Sequence, residues 1–175
     1  AGLVKGASKG EGLGNKFLAN IRETHAIIHV LRCFDNPDIT HVDGIINPVQ
    51  DKETIELELQ LKDLETLEKK KESLKRLAGS GDKAALRELD ILAQYYDHIL
   101  SGKSARNLDI VNDDCILELN LLTKKPVLYV CNVDEQSING NKYTEHVKSS
   151  IIDDKSDMLI ISAAIESEIN ELESY

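Results

Sequence analysis

Two short polar signatures hold the residue types that recognise a planar heterocycle. Asn132-Val133-Asp134-Glu135 (NVDE) closes the apolar run PVLYVC at 126–131, and Ser162-Ala163-Ala164 (SAA) closes the apolar run at 158–161. A carboxamide both donates and accepts, so Asn132 is suited to tie neighbouring loops together and to touch a base. A carboxylate two or three residues further on accepts from a ring N–H or an exocyclic amine. Backbone N–H groups of the SAA loop suit an exocyclic oxygen or an adjacent edge. Alone, NVDE is more often a turn or a helix cap. The pair is more specific, because the two motifs follow successive strand-like runs, about 30 residues apart, and ligands of open α/β sheets bind beyond the carboxyl ends of the strands.

A third stretch is AGLVKGASKGEGLGNKFL at 1–18, with five glycines in its first fourteen positions. Gly10, Gly12 and Gly14 do not make a dinucleotide fingerprint, since Asn15 stands where the third glycine belongs. Ser101-Gly102-Lys103-Ser104 contains G-K-S, but Asp97 occupies the position of the first P-loop glycine and the segment follows a helical pattern, so it reads as a helix stop. His29, inside an apolar run, is a candidate acid/base or water-orienting residue. The competing reading is a core histidine bonded to a backbone carbonyl. His25, His41, His98 and His146 form no constellation and read as surface residues. Cys33, Cys115 and Cys131 are widely spaced, with no C-x-x-C pair, and read as free thiols of a reducing compartment.

The elements that must position these residues follow from periodicity. A short helix is expected over 15–24. A strand, AIIHVLRC at 26–33, shows little alternation and so is expected to be buried on both faces of a parallel sheet. The segment 35–48 reads as a loop with two Asn-Pro steps. From 51 to 102 the chain is rich in Leu, Glu and Lys and lacks proline. Leu57, Leu61, Leu64, Leu67, Leu74 and Leu77 make one stripe; Leu86, Leu89, Ala93, Tyr96 and Leu100 make a second with heptad steps. The break AGSGD at 78–82 turns them into an antiparallel helical hairpin. A helical segment near 114–121, the strand 126–131, a helix over 142–152, the strand 158–161 and a helix over 165–175 complete the pattern, the last with Ile165, Ile169 and Leu172 inward. Strands separated by helices imply a right-handed parallel sheet with the hairpin inserted between two strands. The expected domains are 1–50 and 121–175 for the α/β part and 51–120 for the insertion.

Composition bounds the function. The 175 residues suffice for one ordinary core, and a formal net charge of −10 disfavours a general grip on nucleic acid, although local basic patches are compatible with it. Two Phe, five Tyr and no Trp leave few stacking platforms. No run approaches the ~18 apolar residues of a membrane span, and no secretory signal is visible, so the chain reads as cytoplasmic and soluble.

The block AGLVKGASKGEGLGNKFLANIRET followed by AIIHVLRCFDN resembles switch II and the next strand of the Obg-related P-loop GTPases, and specifically of the YchF/Obg-like ATPase group. NPVQDKETIELELQLKDLETLEK resembles the entrance to that group's inserted helical domain, and the match runs on through NVDE and SAAIESEI. The resemblance implies a partial P-loop G domain with an inserted coiled coil. It implies binding and slow hydrolysis of ATP or GTP with Mg²⁺, and a ribosome or ribosomal subunit as partner. Gly2 would be the last residue of D-x-x-G, meeting the γ-phosphate through its N–H, and Leu3, Lys5, Gly6, Gly10, Gly12 and Gly14 would belong to mobile switch II. Leu3 stands where Ras-like enzymes place a water-orienting Gln, so hydrolysis must use another group, with His29 the candidate. The base-reading motif is N-x-x-E rather than N-K-x-D: Asn132, Glu135 and the Ser162–Ala163 loop would read the base. Val133 in place of Lys and the longer Glu135 would weaken guanine preference. The resemblance places the phosphate-binding loop before residue 1 and a TGS domain after 175, and supplies no metal ligand from this chain. The fragment alone is then expected to bind nucleotide weakly or not at all and not to hydrolyse it, with no direct contact to nucleic acid or membrane. The rival expectation is a non-enzymatic interaction module in which the hairpin docks a protein or the ribosome.

Overall fold

The computed structural model describes residues 13–35 and 46–172. They form two compact units, one drawn from residues 13–25 and 55–126 and the other from 26–35, 46–54 and 127–172.

The second unit is α/β. Strands β1 (Ile27–Arg32), β2 (Val127–Asn132) and β3 (Ser156–Ile161) form a parallel sheet in the order β1-β2-β3. Its register runs from Ile27–Val127–Ser156 to Arg32–Asn132–Ile161, so all three strands end level. Helix α5 (Lys142–Ser150) packs Val147, with Ile151 just beyond it, on one face, against Leu31, Tyr129, Cys131 and Val133. Asn141 caps α5 by accepting from the N–H groups of Tyr143 and Thr144, and Gly140 supplies the φ of +106° that the approach requires. The burial expected on both faces of β1 is not met. Its residues alternate, and Ile28 and Val30 are 67% and 61% exposed, because none of the described residues covers that face. Helix α6 (Ala163–Leu172) starts at the SAA loop; Ile165 is half-buried, but Ile169, expected inward, is 45% exposed.

In the first unit, α1 (Leu13–Glu23) begins before the glycine block ends: Gly14, expected in a mobile loop, is its second residue. Helix α2 (Pro48–Gly79) contributes to both units and starts earlier than the compositional change at Asp51. Asn47 accepts the Gln50 N–H and Pro48 takes the first helical position, where its missing donor costs nothing. After a two-residue turn Asp82 caps α3 (Lys83–Leu100) through the N–H groups of Ala84 and Ala85. Gly102, at φ +84°, stops α3 as expected of the S-G-K-S segment.

The hairpin forms, but its seam differs from the expected stripes. Leu64, Leu67 and Leu74 of α2 face inward, whereas Leu57, Leu61 and Leu77 are 55%, 46% and 53% exposed. On α3 the buried set is Ala85, Ile91, Leu92, Tyr95 and Ile99, while Leu86 and Leu100 face water. Apolar residues at adjacent positions offered two parallel stripes, and the one holding Leu92, Tyr95 and Ile99 buries more. The segment after α3 folds over the hairpin as short turns and α4 (Asp114–Leu117), shorter than the helix expected to 121. His98, expected at the surface, is half-buried, with Nε2 3.1 Å from the Ser104 carbonyl.

Asp113 fastens this segment. Lys124 donates to it at 2.9 Å and the fully buried Tyr95 hydroxyl also donates to it. The Lys124 and Tyr95 hydrogen bonds hold the Asp113 carboxyl below the usual carboxylate range. A depressed folded pKa contributes stability above the unfolded value near 3.9, and that contribution is lost as pH falls through the folded value. Asp113→Asn is therefore expected to lower stability by about 1–2 kcal/mol at neutral pH, with the difference closing at strongly acidic pH. Urea titrations at pH 7 and in strong acid check this, and an equal loss at both would contradict it.

Candidate functional site

Because the strands end level, the loops after β1 and β2 and the start of α6 meet at one edge of the α/β unit. They enclose a cleft of about 570 Å³, lined by Phe34 and Asp35 after β1, residues 132–136 after β2, and Ala163 and Ala164 of the SAA segment. Asn132, Val133, Glu135 and Ala163 thus lie at one cleft. Ser162 is not among the lining residues; it is 4% exposed, and its hydroxyl oxygen has no hydrogen-bond partner among the described residues.

The framework is made by backbone and carboxamides. The Val133 N–H donates to the Ile161 carbonyl at 2.9 Å, which carries the ladder past the strand end, and the Val133 side chain is buried in the core. Asn132 Oδ1 accepts the Ala163 N–H at 3.0 Å and so ties the NVDE loop to SAA. That donor fixes the amide orientation: the oxygen must meet Ala163, and the NH₂ group is left with donors to spare. Asp134 and Glu135 are exposed at the mouth.

Phe34 and Asp35 were not singled out in the sequence, because a Phe-Asp pair after a strand carries no pattern of its own. The loop bearing them is held from two sides. The Cys33 N–H donates to the Asn132 carbonyl at 2.8 Å, and Asn141 Nδ2 donates to the Cys33 carbonyl at 2.7 Å. The Tyr143 hydroxyl donates to Asp35 Oδ1 at 2.7 Å, and this bond pushes the Tyr143 phenol up. The Arg32 guanidinium lies 5.0 Å from the centroid of the Phe34 ring. Behind them, the hydrogen bond to Cys131 and burial push the Cys33 thiol above its usual range, so Cys33 stays protonated at neutral pH. All three cysteines are free.

His29 is not in the cleft lining. It sits mid-strand, half-buried, its ring centroid 5.6 Å from that of Tyr129, and three residues upstream of the strand end, about 10 Å along the strand. Lys52 is buried on the same tyrosine, 5.4 Å from its centroid. Gly2, Leu3, Lys5, Gly6, Gly10, Gly12 and His41 lie outside the described residues. Among the described residues there is no group of three His, Cys, Asp or Glu able to hold a metal ion, and no helix is long and apolar enough to cross a membrane.

No protein-family model matches the chain. Sequence comparison finds curated proteins named ribosome-binding ATPase YchF. The protein from Bacillus subtilis (strain 168) is 44% identical over 99% of this chain and 49% of its own length. The Pasteurella multocida and Haemophilus ducreyi proteins are 47% and 48% identical over 99% of this chain and 48% of theirs. The solved structure of the Schizosaccharomyces pombe YchF GTPase superposes with a TM-score of 0.83 at 36% identity, covering 98% of this chain and 48% of that one. The chain spans about half the length of the curated relatives it matches. By sequence and by fold, the chain is similar to about half of the length of YchF-family proteins.

Proposed function

We propose that these residues form the base-reading half of a purine nucleoside triphosphatase that works as a ribosome-linked switch in the cytoplasm. The observation that carries this is the Asn132–Ala163 hydrogen bond, which locks the two motif loops into one cleft at the strand ends. ATP is the favoured ligand. Asn132 and the Ser162–Ala163 loop meet the base edge, Phe34 offers it an apolar wall, and Glu135 at the mouth accepts from an exocyclic amine. Gly2 meets the γ-phosphate, and the stretch from Leu3 to the start of α1 is the switch, whose glycines permit reordering. His29, with Leu3 unable to bond water, is the proposed water-orienting group. Mg²⁺ would enter with the nucleotide; the described residues supply no ligand set for it, so no step is assigned to it. Residues 51–120 act as an inserted domain. The 175 residues alone are proposed to be inactive, since phosphate contacts carry most of the affinity in such folds.

Exchange of Glu135 for Asp in the full-length protein tests the base reading. The shorter carboxylate is expected to move the ATP:GTP affinity ratio toward GTP by about tenfold. An unchanged ratio in competitive titration would remove Glu135 from base recognition.

A second reading treats the hairpin as a docking arm. It is favoured by the 32-residue length of α2, about 48 Å at 1.5 Å per residue, far more than a cleft-supporting helix needs. Deleting residues 53–100 is expected to abolish partner capture while nucleotide binding survives, and retained capture would sink the arm.

A further inference from the structure

The charge of the chain is unevenly distributed, and the imbalance peaks at the end of the hairpin. Residues 69–87 hold seven of the 21 Lys and Arg and only two acidic residues, in a chain of formal net charge −10. Part of this charge is used within the hairpin. Lys70 pairs with Glu88 at 2.9 Å, Lys75 pairs with Glu72, and Lys71 lies 4.6 Å from the Tyr96 ring centroid. Arg76, Lys83 and Arg87 are different: all three are exposed, and none has an ion-pair partner among the described residues.

Their position concentrates the effect. Arg76 is one turn before the end of α2 at Gly79, Lys83 opens α3, and Arg87 is one turn further on. The two-residue turn between the helices therefore places three free cations within about one helical turn, ~5 Å of rise, of the tip. The rest of the chain is strongly acidic and repels a polyanion. Along the hairpin, a polyanion is steered to this end.

We propose that the hairpin tip binds the phosphate backbone of structured RNA, with Arg76, Lys83 and Arg87 as the contacting cations. This rests on the ribosome-linked reading above and gives it a contact surface. Planar guanidinium forks match phosphate oxygens in pairs, and an exposed ammonium serves as a point charge. Residues 69–87 contain no aromatic side chain, so the tip has no platform for unstacked bases. Contact is to the backbone of a helix, independent of sequence. The overall acidity that argues against a general grip on nucleic acid is compatible with such a local one. Leu77 and Leu86, 53% and 50% exposed among these cations, are what a protein partner would use instead.

The test is the charge reversal Arg76→Glu, Lys83→Glu and Arg87→Glu in the full-length protein. Purified ribosomes and a fluorescent double-helical RNA hairpin serve as probes, across 50 to 200 mM salt. The expected result is at least a tenfold loss of affinity for both at mid-range salt. The slope of log affinity against log salt should fall by ~2–3, from ~0.9 per phosphate contact. ATP affinity and helicity should be unchanged, and the triple Gln variant should fall between. Three outcomes overturn the proposal: affinity for both probes within twofold of wild type; no salt-dependent RNA binding by the wild type; or loss of ribosome binding on Leu77→Ser with Leu86→Ser but not on charge reversal, which would make the partner a protein. Absence of ATP binding by the wild type would instead strike the nucleotide reading and leave the RNA titration to stand by itself.

Discussion

Replacing Asp63 by alanine is expected to remove about 3–5 kcal/mol of stability, a large share of the ~5–15 kcal/mol that holds a domain of this size together. Asp63 lies on α2 and is fully buried. Its Oδ1 accepts the Leu122 N–H at 2.8 Å, and its Oδ2 accepts the Thr123 N–H at 2.8 Å and the Thr123 hydroxyl at 2.7 Å. Thr123 Oγ1 in turn accepts the Ala105 N–H at 3.1 Å. One carboxylate thus secures the turn at 122–124 and, through Thr123, the turn at 105–107. Desolvation pushes the Asp63 carboxyl up while these hydrogen bonds pull it down, with burial the larger effect. A charge kept at such a cost is held by its donors. Alanine would leave two buried N–H groups unpaired, each costing roughly 1–3 kcal/mol, besides a cavity. Asparagine should be nearly as damaging, because its NH₂ would face N–H donors. Urea unfolding should show a lower midpoint at unchanged slope, and hydrogen exchange at the Leu122 and Thr123 amides should accelerate to the rate of the fraying ends. A variant within 1 kcal/mol of wild type, with those amides still protected, would show that the turns are held by apolar packing alone.

Nothing near Asp63 in the sequence marks it as a hub. It sits in a Leu-Glu-Lys run where a carboxylate looks like one more solvated side chain, and its partners are about 60 residues away. The hairpin itself was legible, because Gly and Ser interrupt two long apolar periodicities. Its seam was not: with Leu86, Ala93, Tyr96 and Leu100 one step from Ala85, Leu92, Tyr95 and Ile99, a stripe of the right period existed on either side, and only long-range packing on the 105–124 segment decides between them. The strands were legible from their β-branched runs, but one-sided exposure of β1 was not, since an apolar run reads the same whether or not a partner covers its second face. At the cleft the two loop motifs could be found because they end successive strands. Phe34, Asp35 and Asn141 could not, since their importance comes from the register that brings the end of β1 beside the cap of α5.

Asn132→Ala in the full-length protein is expected to weaken nucleotide binding by about 30- to 100-fold, on the order of 2–3 kcal/mol. Two losses combine. The Ala163 N–H, bonded to Oδ1 at 3.0 Å, loses its acceptor, so the SAA loop is no longer fixed against NVDE. The donor that the amide turns away from Ala163 disappears as well. The Asp variant separates these effects. A carboxylate still accepts from Ala163 and keeps the loops together, but it cannot donate, and it adds a negative charge beside Asp134 and Glu135. If the donor matters, Asn132→Asp should bind ATP nearly as poorly as the alanine variant while the exchange protection of the Ala163 amide stays near wild type. If only the loop tie matters, the Asp variant should recover most of the affinity. Titration with a fluorescent ATP analogue distinguishes the two. Alanine and aspartate variants that both bind within threefold of wild type would show that the cleft at the ends of β1 and β2 is not where the base sits. Because Asn132 lies at the end of its strand rather than in the core, the cost in stability should stay near that of one hydrogen bond, about 1 kcal/mol. Loss of binding can then be told apart from loss of fold by comparing unfolding midpoints.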